Sequence, residues 1–128
     1  MYRITPENIT ELKENEVFIF GSNKEGNHYS GSARVAYEKF GAKWGIGYGI
    51  SGQSYAINTM SGLERIKSQI PMFLKYVKNN KDKDFLVTAI GTGIAGFTPE
   101  QIAPLFKETI ELKNVYLPQS FINIIRGE

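Results

Sequence analysis

The 128-residue sequence predicts an α/β domain: a three-layer α/β/α sandwich with a mixed, largely parallel central sheet. Three observations carry this expectation. Val17-Phe18-Ile19-Phe20 and Phe85-Leu86-Val87-Thr88-Ala89-Ile90 are continuous apolar runs, as strands buried on both faces are. Segments with apolar residues at helical spacing alternate with these runs. A glycine-rich turn follows each run at once.

Taken in order, Tyr2 to Ile4 reads as a short edge strand. Thr5-Pro6-Glu7-Asn8 reads as a helix start running to about Leu12, with Thr5 as N-cap and Pro6 at the first helical position. After the first apolar run, Gly21 to Gly31 is a polar loop. Ala33, Ala36, Tyr37 and Phe40 then predict a helix over 32–40, and Gly41 suits its left-handed cap. Residues 42–59 read as a glycine-rich hairpin turning at Ile50 to Ser54. Ser61-Gly62-Leu63-Glu64 has the form of a capping box, and Leu63, Ile66, Ile70, Phe73, Leu74 and Val77 form one helical face. Pro71 inside that face either kinks the helix or opens a second one. Thr98-Pro99-Glu100-Gln101 opens another helix, with Ile102, Leu105, Phe106, Thr109 and Ile110 as its buried stripe. Val115 to Leu117 is a last strand, ended by Pro118, and Ser120 to Ile125 a short terminal helix.

Composition bounds the chemistry. The length and even composition suit one domain over 1–128. With no Cys, disulfides, thiolate nucleophiles and cysteine-held zinc are excluded, and one His removes any two-His metal motif. No cofactor or metal is expected. A net charge of +2 is compatible with an anionic ligand and too small to indicate nucleic acid. No apolar run approaches the ~20 residues that span a bilayer. The first dozen residues lack the pattern of a signal peptide. A cytoplasmic protein without a membrane partner is the expectation.

Chemistry is expected where a buried strand runs into a glycine-rich loop and then a helix. Gly21-Ser22-Asn23 through Gly31-Ser32-Ala33 is one such place, and Gly91-Thr92-Gly93-Ile94-Ala95-Gly96 with Phe97 is the other. Ligands of open α/β sheets bind at the carboxyl ends of strands. Unpaired amides in glycine turns and at helix starts favour anions, which suits a phosphate or diphosphate. Asn23 reads either as a hydrogen-bonding partner for sugar hydroxyls or as a turn residue. His28 reads either as a general base or ligand contact, or as a solvated loop residue. No Ser-His-Asp set can be assembled from the sequence, and a nucleophilic mechanism finds little support there.

This order of motifs resembles the macro domain, an ADP-ribose-binding α/β/α module, over about Glu7 to Phe106. It is similar as well to small bacterial and phage proteins carrying F-G-S-N and I-G-x-G-I-A-G segments. Asn8-Ile9 stands where the family has an Asp-Ile pair facing adenine. Phe20-Gly21-Ser22-Asn23 resembles the family's V-N-A-A-N strand end, whose last Asn contacts the distal ribose. Gly31-Ser32-Ala33 stands where the family has a glycine-rich diphosphate turn. Ile90 to Gly96 resembles its second phosphate loop, and Phe97 fits a contact on the ribose or adenine side. The resemblance implies binding of ADP-ribose or a related NAD-derived nucleotide. It implies, as an added activity, hydrolysis of an ADP-ribosyl bond with Asn23 and His28 positioning water. The alternative is a non-catalytic, phage-related protein that sequesters a nucleotide or blocks another protein. A third reading is a different nucleotide-binding α/β fold in which Gly91 to Gly96 holds a monophosphate.

Overall fold

A computed structural model of the chain describes residues 3–127. Five strands form one sheet: β1 (Glu16–Ser22), β2 (Gly49–Ser51), β3 (Ser54–Asn58), β4 (Asp84–Val87) and β5 (Val115–Tyr116), in the order β2-β3-β1-β4-β5. β1 runs parallel to both β3 and β4, β4 runs parallel to β5, and only β2 is antiparallel. The four α-helices among the described residues are α1 (Gly31–Lys39), α2 (Leu63–Lys78), α3 (Pro99–Ile102) and α4 (Gln119–Arg126). A 3-10 helix, Ala103–Glu111, continues α3. The α/β class and the mixed, mostly parallel sheet are as the sequence predicts.

Alternation along β1 divides the core in two. Val17 and Ile19 join Ile66, Ile70, Phe73 and Val77 of α2, Phe106 of the 3-10 helix and Phe121 of α4 in the larger cluster. Phe18 and Phe20 join Ala33 and Ala36 of α1, together with Phe40, Ala42 and Ala56. Because both faces of β1 are covered, its run has no polar phase. α1 ends as expected: Gly41 takes φ +78°, and the Ala42 N–H returns to the Ala36 carbonyl.

Several expectations are corrected. Residues 5–12 form no helix. Ile4 bridges Leu117 in parallel, and the Thr5 N–H is given to the Leu117 carbonyl at 2.8 Å. That pairing uses the backbone at the start of the expected helix, and so short a helix has little stability of its own to oppose it. Ile9 and Leu12 pack instead against the smaller cluster. Tyr2 lies outside the described residues, and of the expected edge strand Ile4 makes this single bridge.

The expected capping box at Ser61 to Glu64 is absent. Gly62 is the N-cap, and Ser61 Oγ accepts from Asn58 Nδ2 at 2.9 Å. α2 passes unbroken through Pro71. Pro71 and Lys67 are both exposed, so the Lys67 carbonyl that loses its partner can be solvated. β4 stops at Val87, three residues early; Thr88 makes the last ladder bond, its N–H to the Ile19 carbonyl, and adds its hydroxyl to the same oxygen. After Thr98 the capping box forms in full with Gln101, yet the helix tightens to 3-10 geometry from Ala103. Pro104 has no N–H to continue the α-helical ladder. The hairpin is confined to Gly49–Ser51 and Ser54–Asn58, with Ser51 opposite Ser54.

Candidate functional site

The parallel strands β3, β1, β4 and β5 present their carboxyl ends at one edge of the sheet. The chain leaves β1 for β3 on one side and crosses through α2 to β4 on the other. The edge between β1 and β4 is therefore a topological switch point, where ligands of open α/β sheets bind.

A cleft of about 920 Å³ opens there, near the upper end of the ~300–1,000 Å³ typical of small-molecule sites. Its walls are Ile4 to Ile9, the start of α1 from Ser30 to Ala33 with Val35, the turn from Thr88 to Ala95, and Pro118 to Ser120 at the start of α4. Phe18, Gly21 and Thr59 complete the lining. The two glycine-rich segments thus face a single cavity.

Each supplies amides. Arg34 N–H is the first in α1 to find an acceptor, Ser30 O at 3.3 Å. Gly31, Ser32 and Ala33 N–H have none among the described residues, and Ser30 makes no side-chain cap. In the second turn, Thr92 closes on Ala89 O through both N–H and hydroxyl, and Phe97 N–H reaches Gly91 O at 2.9 Å. Those bonds fix the turn and leave Gly93, Ile94 and Ala95 N–H without acceptors among the described residues. The α1 set carries the partial positive charge of a helix start. Of the described residues lining the cleft, Glu7 alone is ionisable. An anion here would be held by backbone amides.

Of the residues predicted for the site, Asn8, Ile9, Gly21, Gly31, Ser32, Ala33, Gly91, Thr92, Gly93, Ile94 and Ala95 line this cleft. Ser22 and Asn23 line an adjoining depression of about 130 Å³, which shares Gly21, Ser30, Ala33, Thr59 and Ile94 with it. Gly96 and Phe97 line neither, and Phe97 packs against the larger core cluster. The Asn23 amide is engaged at both ends, accepting from Asn27 N–H at 2.9 Å and donating to Asn27 O at 2.8 Å. It clamps its own loop, with one N–H and one lone pair to spare. The solvated reading of His28 is corrected: the ring is fully buried. Its Nδ1 meets Ser22 Oγ and its Nε2 meets Lys43 O, each at 2.9 Å. His28 lines neither cavity.

Sequence reasoning missed Thr5, Thr59, Thr88 and Pro118 to Ser120. The signal was present, since Thr59 directly follows β3 and Pro118 lies two residues past the end of β5. Thr5 stands apart: it is buried at 6% exposure, and its hydroxyl is buried without a partner among the described residues. A buried hydroxyl left unpaired costs stability. Thr5→Val is therefore expected to stabilise the protein by about 1 kcal/mol, seen as a higher urea midpoint. An unchanged or lower midpoint would contradict this.

No group of three or more His, Asp or Glu among the described residues is placed to hold a metal ion. No helix among the described residues is long and apolar enough to cross a membrane. The fold and cleft define an α/β protein with an amide-lined cavity at the switch point of its sheet. None of the family models, curated proteins or solved structures compared with the chain matches it.

Proposed function

We propose that this protein binds ADP-ribose or a closely related NAD-derived nucleotide in a macro-domain-like manner. The observation that supports this best is the single cleft into which two separate segments bring amides without acceptors, at Gly31 to Ala33 and at Gly93 to Ala95. Two such sets suit the two phosphoryl groups of a diphosphate better than one phosphate. The diphosphate lies between them, with Asn8 and Ile9 toward the base and Asn23 toward the distal ribose. The apolar lining from Ile9, Phe18 and Val35 suits the faces of a nucleoside.

Calorimetry with ADP-ribose, ADP, AMP and inorganic pyrophosphate tests this. Saturable heat is expected for ADP-ribose, with weaker binding as each end of the ligand is removed. No heat and no thermal shift at millimolar nucleotide would overturn the reading.

A further inference from the structure

We propose that the smaller depression seats a nicotinamide ring, so that cleft and depression together take the intact oxidised dinucleotide NAD in preference to ADP-ribose. This rests on the nucleotide reading above and extends it past the distal ribose. At about 130 Å³ the depression is well below the ~300 Å³ at which whole small-molecule sites begin. It suits one ring of a ligand whose bulk is held elsewhere. It opens beside the cleft, sharing Ala33 and Ile94 with it, one from each amide-bearing segment. Asn23 borders it, and none of the residues from Ile4 to Ile9 does. It therefore lies at the end assigned to the distal ribose, away from the end assigned to the base. The group that this ribose carries is the part of a dinucleotide that can enter it.

The lining matches an aromatic carboxamide. No Lys, Arg, His, Asp or Glu among the described residues borders the depression, so it offers no charge to a further phosphate. Tyr29, Met60 and Ile94 are exposed and supply apolar contact. Asn27 gives its backbone N–H and carbonyl to Asn23, while its side-chain amide makes no hydrogen bond among the described residues. A primary amide both donates and accepts, as a ring carboxamide does, so each can satisfy the other.

Tyr29 is held in place for such a ring. It meets Trp44 with centroids 5.0 Å apart and planes at 78°. Trp44 rests in turn against Tyr37 at 5.3 Å and against the buried His28 at 6.0 Å. Ser22 Oγ and Lys43 O hold His28 from its two nitrogens, each at 2.9 Å. The Ser22–His28 contact is thus an internal tie that fixes the loop, and Tyr29 follows it directly in the chain. At 66% exposure, most of the Tyr29 ring is still open to a second ring. Aromatic rings favour offset or edge-on contact, and the positive charge of the oxidised nicotinamide adds attraction to the tyrosine face. ADP-ribose carries a hydroxyl in place of that ring and leaves Tyr29 and Asn27 in water.

Calorimetry of the intact chain with NAD and with ADP-ribose tests this. NAD is expected to bind ~10-fold more tightly, the scale of one ring stacked on one aromatic side chain. Tyr29→Ala is expected to bring the two affinities within about threefold of each other, and Tyr29→Phe to keep them apart. Should Tyr29→Ala not fold, Asn27→Ala, which keeps the backbone groups that Asn23 holds, is expected to lower the ratio about threefold or more. Heat with ADP-ribose, and NAD binding no more tightly, would overturn the ring seat and leave the nucleotide reading standing. No heat with either ligand would overturn both. A tenfold preference for NAD that survives Tyr29→Ala and Asn27→Ala alike would overturn the placement of the ring.

Discussion

Gly93→Glu is expected to abolish ADP-ribose binding and to leave the fold intact. Gly93 has no positive φ, and a Cβ built there meets nothing within 4 Å. A side chain is therefore tolerated. A glutamate there sets a negative charge beside the amides of Gly93, Ile94 and Ala95. It either accepts those N–H groups itself or repels the incoming diphosphate, and each route removes the site. A rise in Kd of ~100-fold or more is expected, which corresponds to about 2.7 kcal/mol or more. Gly93→Ala should bind within about threefold of the parent, and both variants should melt within ~2 °C of it, as open surface substitutions do. Calorimetry and thermal unfolding read the two quantities. Binding of Gly93→Glu within threefold of the parent would remove the amide turn from the account.

A large loss of stability is expected from Gly47→Ala. Gly47 has no positive φ, so the effect is steric. A Cβ there would lie 2.0 Å from the Asn23 carbonyl oxygen and 3.0 Å from that of Lys24. Both neighbours are backbone and cannot rotate away. The two segments are tied again nearby, through Gly45 N–H on Gly26 O at 2.9 Å and His28 Nε2 on Lys43 O. Parting them would disturb the loop that holds Asn23 and His28. The cost is expected to be about 3 kcal/mol or more, lowering Tm by ~10 °C or more. Thermal unfolding measures it, and a Tm within 2 °C of the parent would contradict the packing described.

What was legible in the sequence was what local chemistry decides. β1 and β4 were readable because strands buried on both faces leave unbroken apolar runs. The cap at Thr98 was readable because both of its bonds lie within three residues. The placing of both glycine loops at the carboxyl edge of the sheet followed from the rule for open sheets, and the two do line one cleft. What was illegible depends on distant partners. Thr5-Pro6 has the chemistry of a helix start, but Leu117 takes the Thr5 amide into a bridge. His28 sits among polar loop residues, and nothing local reveals that Lys43, 15 residues on, supplies the carbonyl that orients it. The Ser22–His28 contact was missed for a related reason: a six-residue spacing in a loop fixes no geometry until the rest of the fold does. Asn23 carries the right amide for a sugar, and only the fold reveals that Asn27 already holds one side of it.

The most direct measurement of the central claim is an amide NMR titration with ADP-ribose. If one diphosphate bridges the cleft, the N–H signals of Gly31 to Ala33 and of Gly93 to Ala95 shift together along a single saturation curve, while those of α2 stay in place. Shifts confined to one of the two segments, or absent from both at saturating nucleotide, would contradict it.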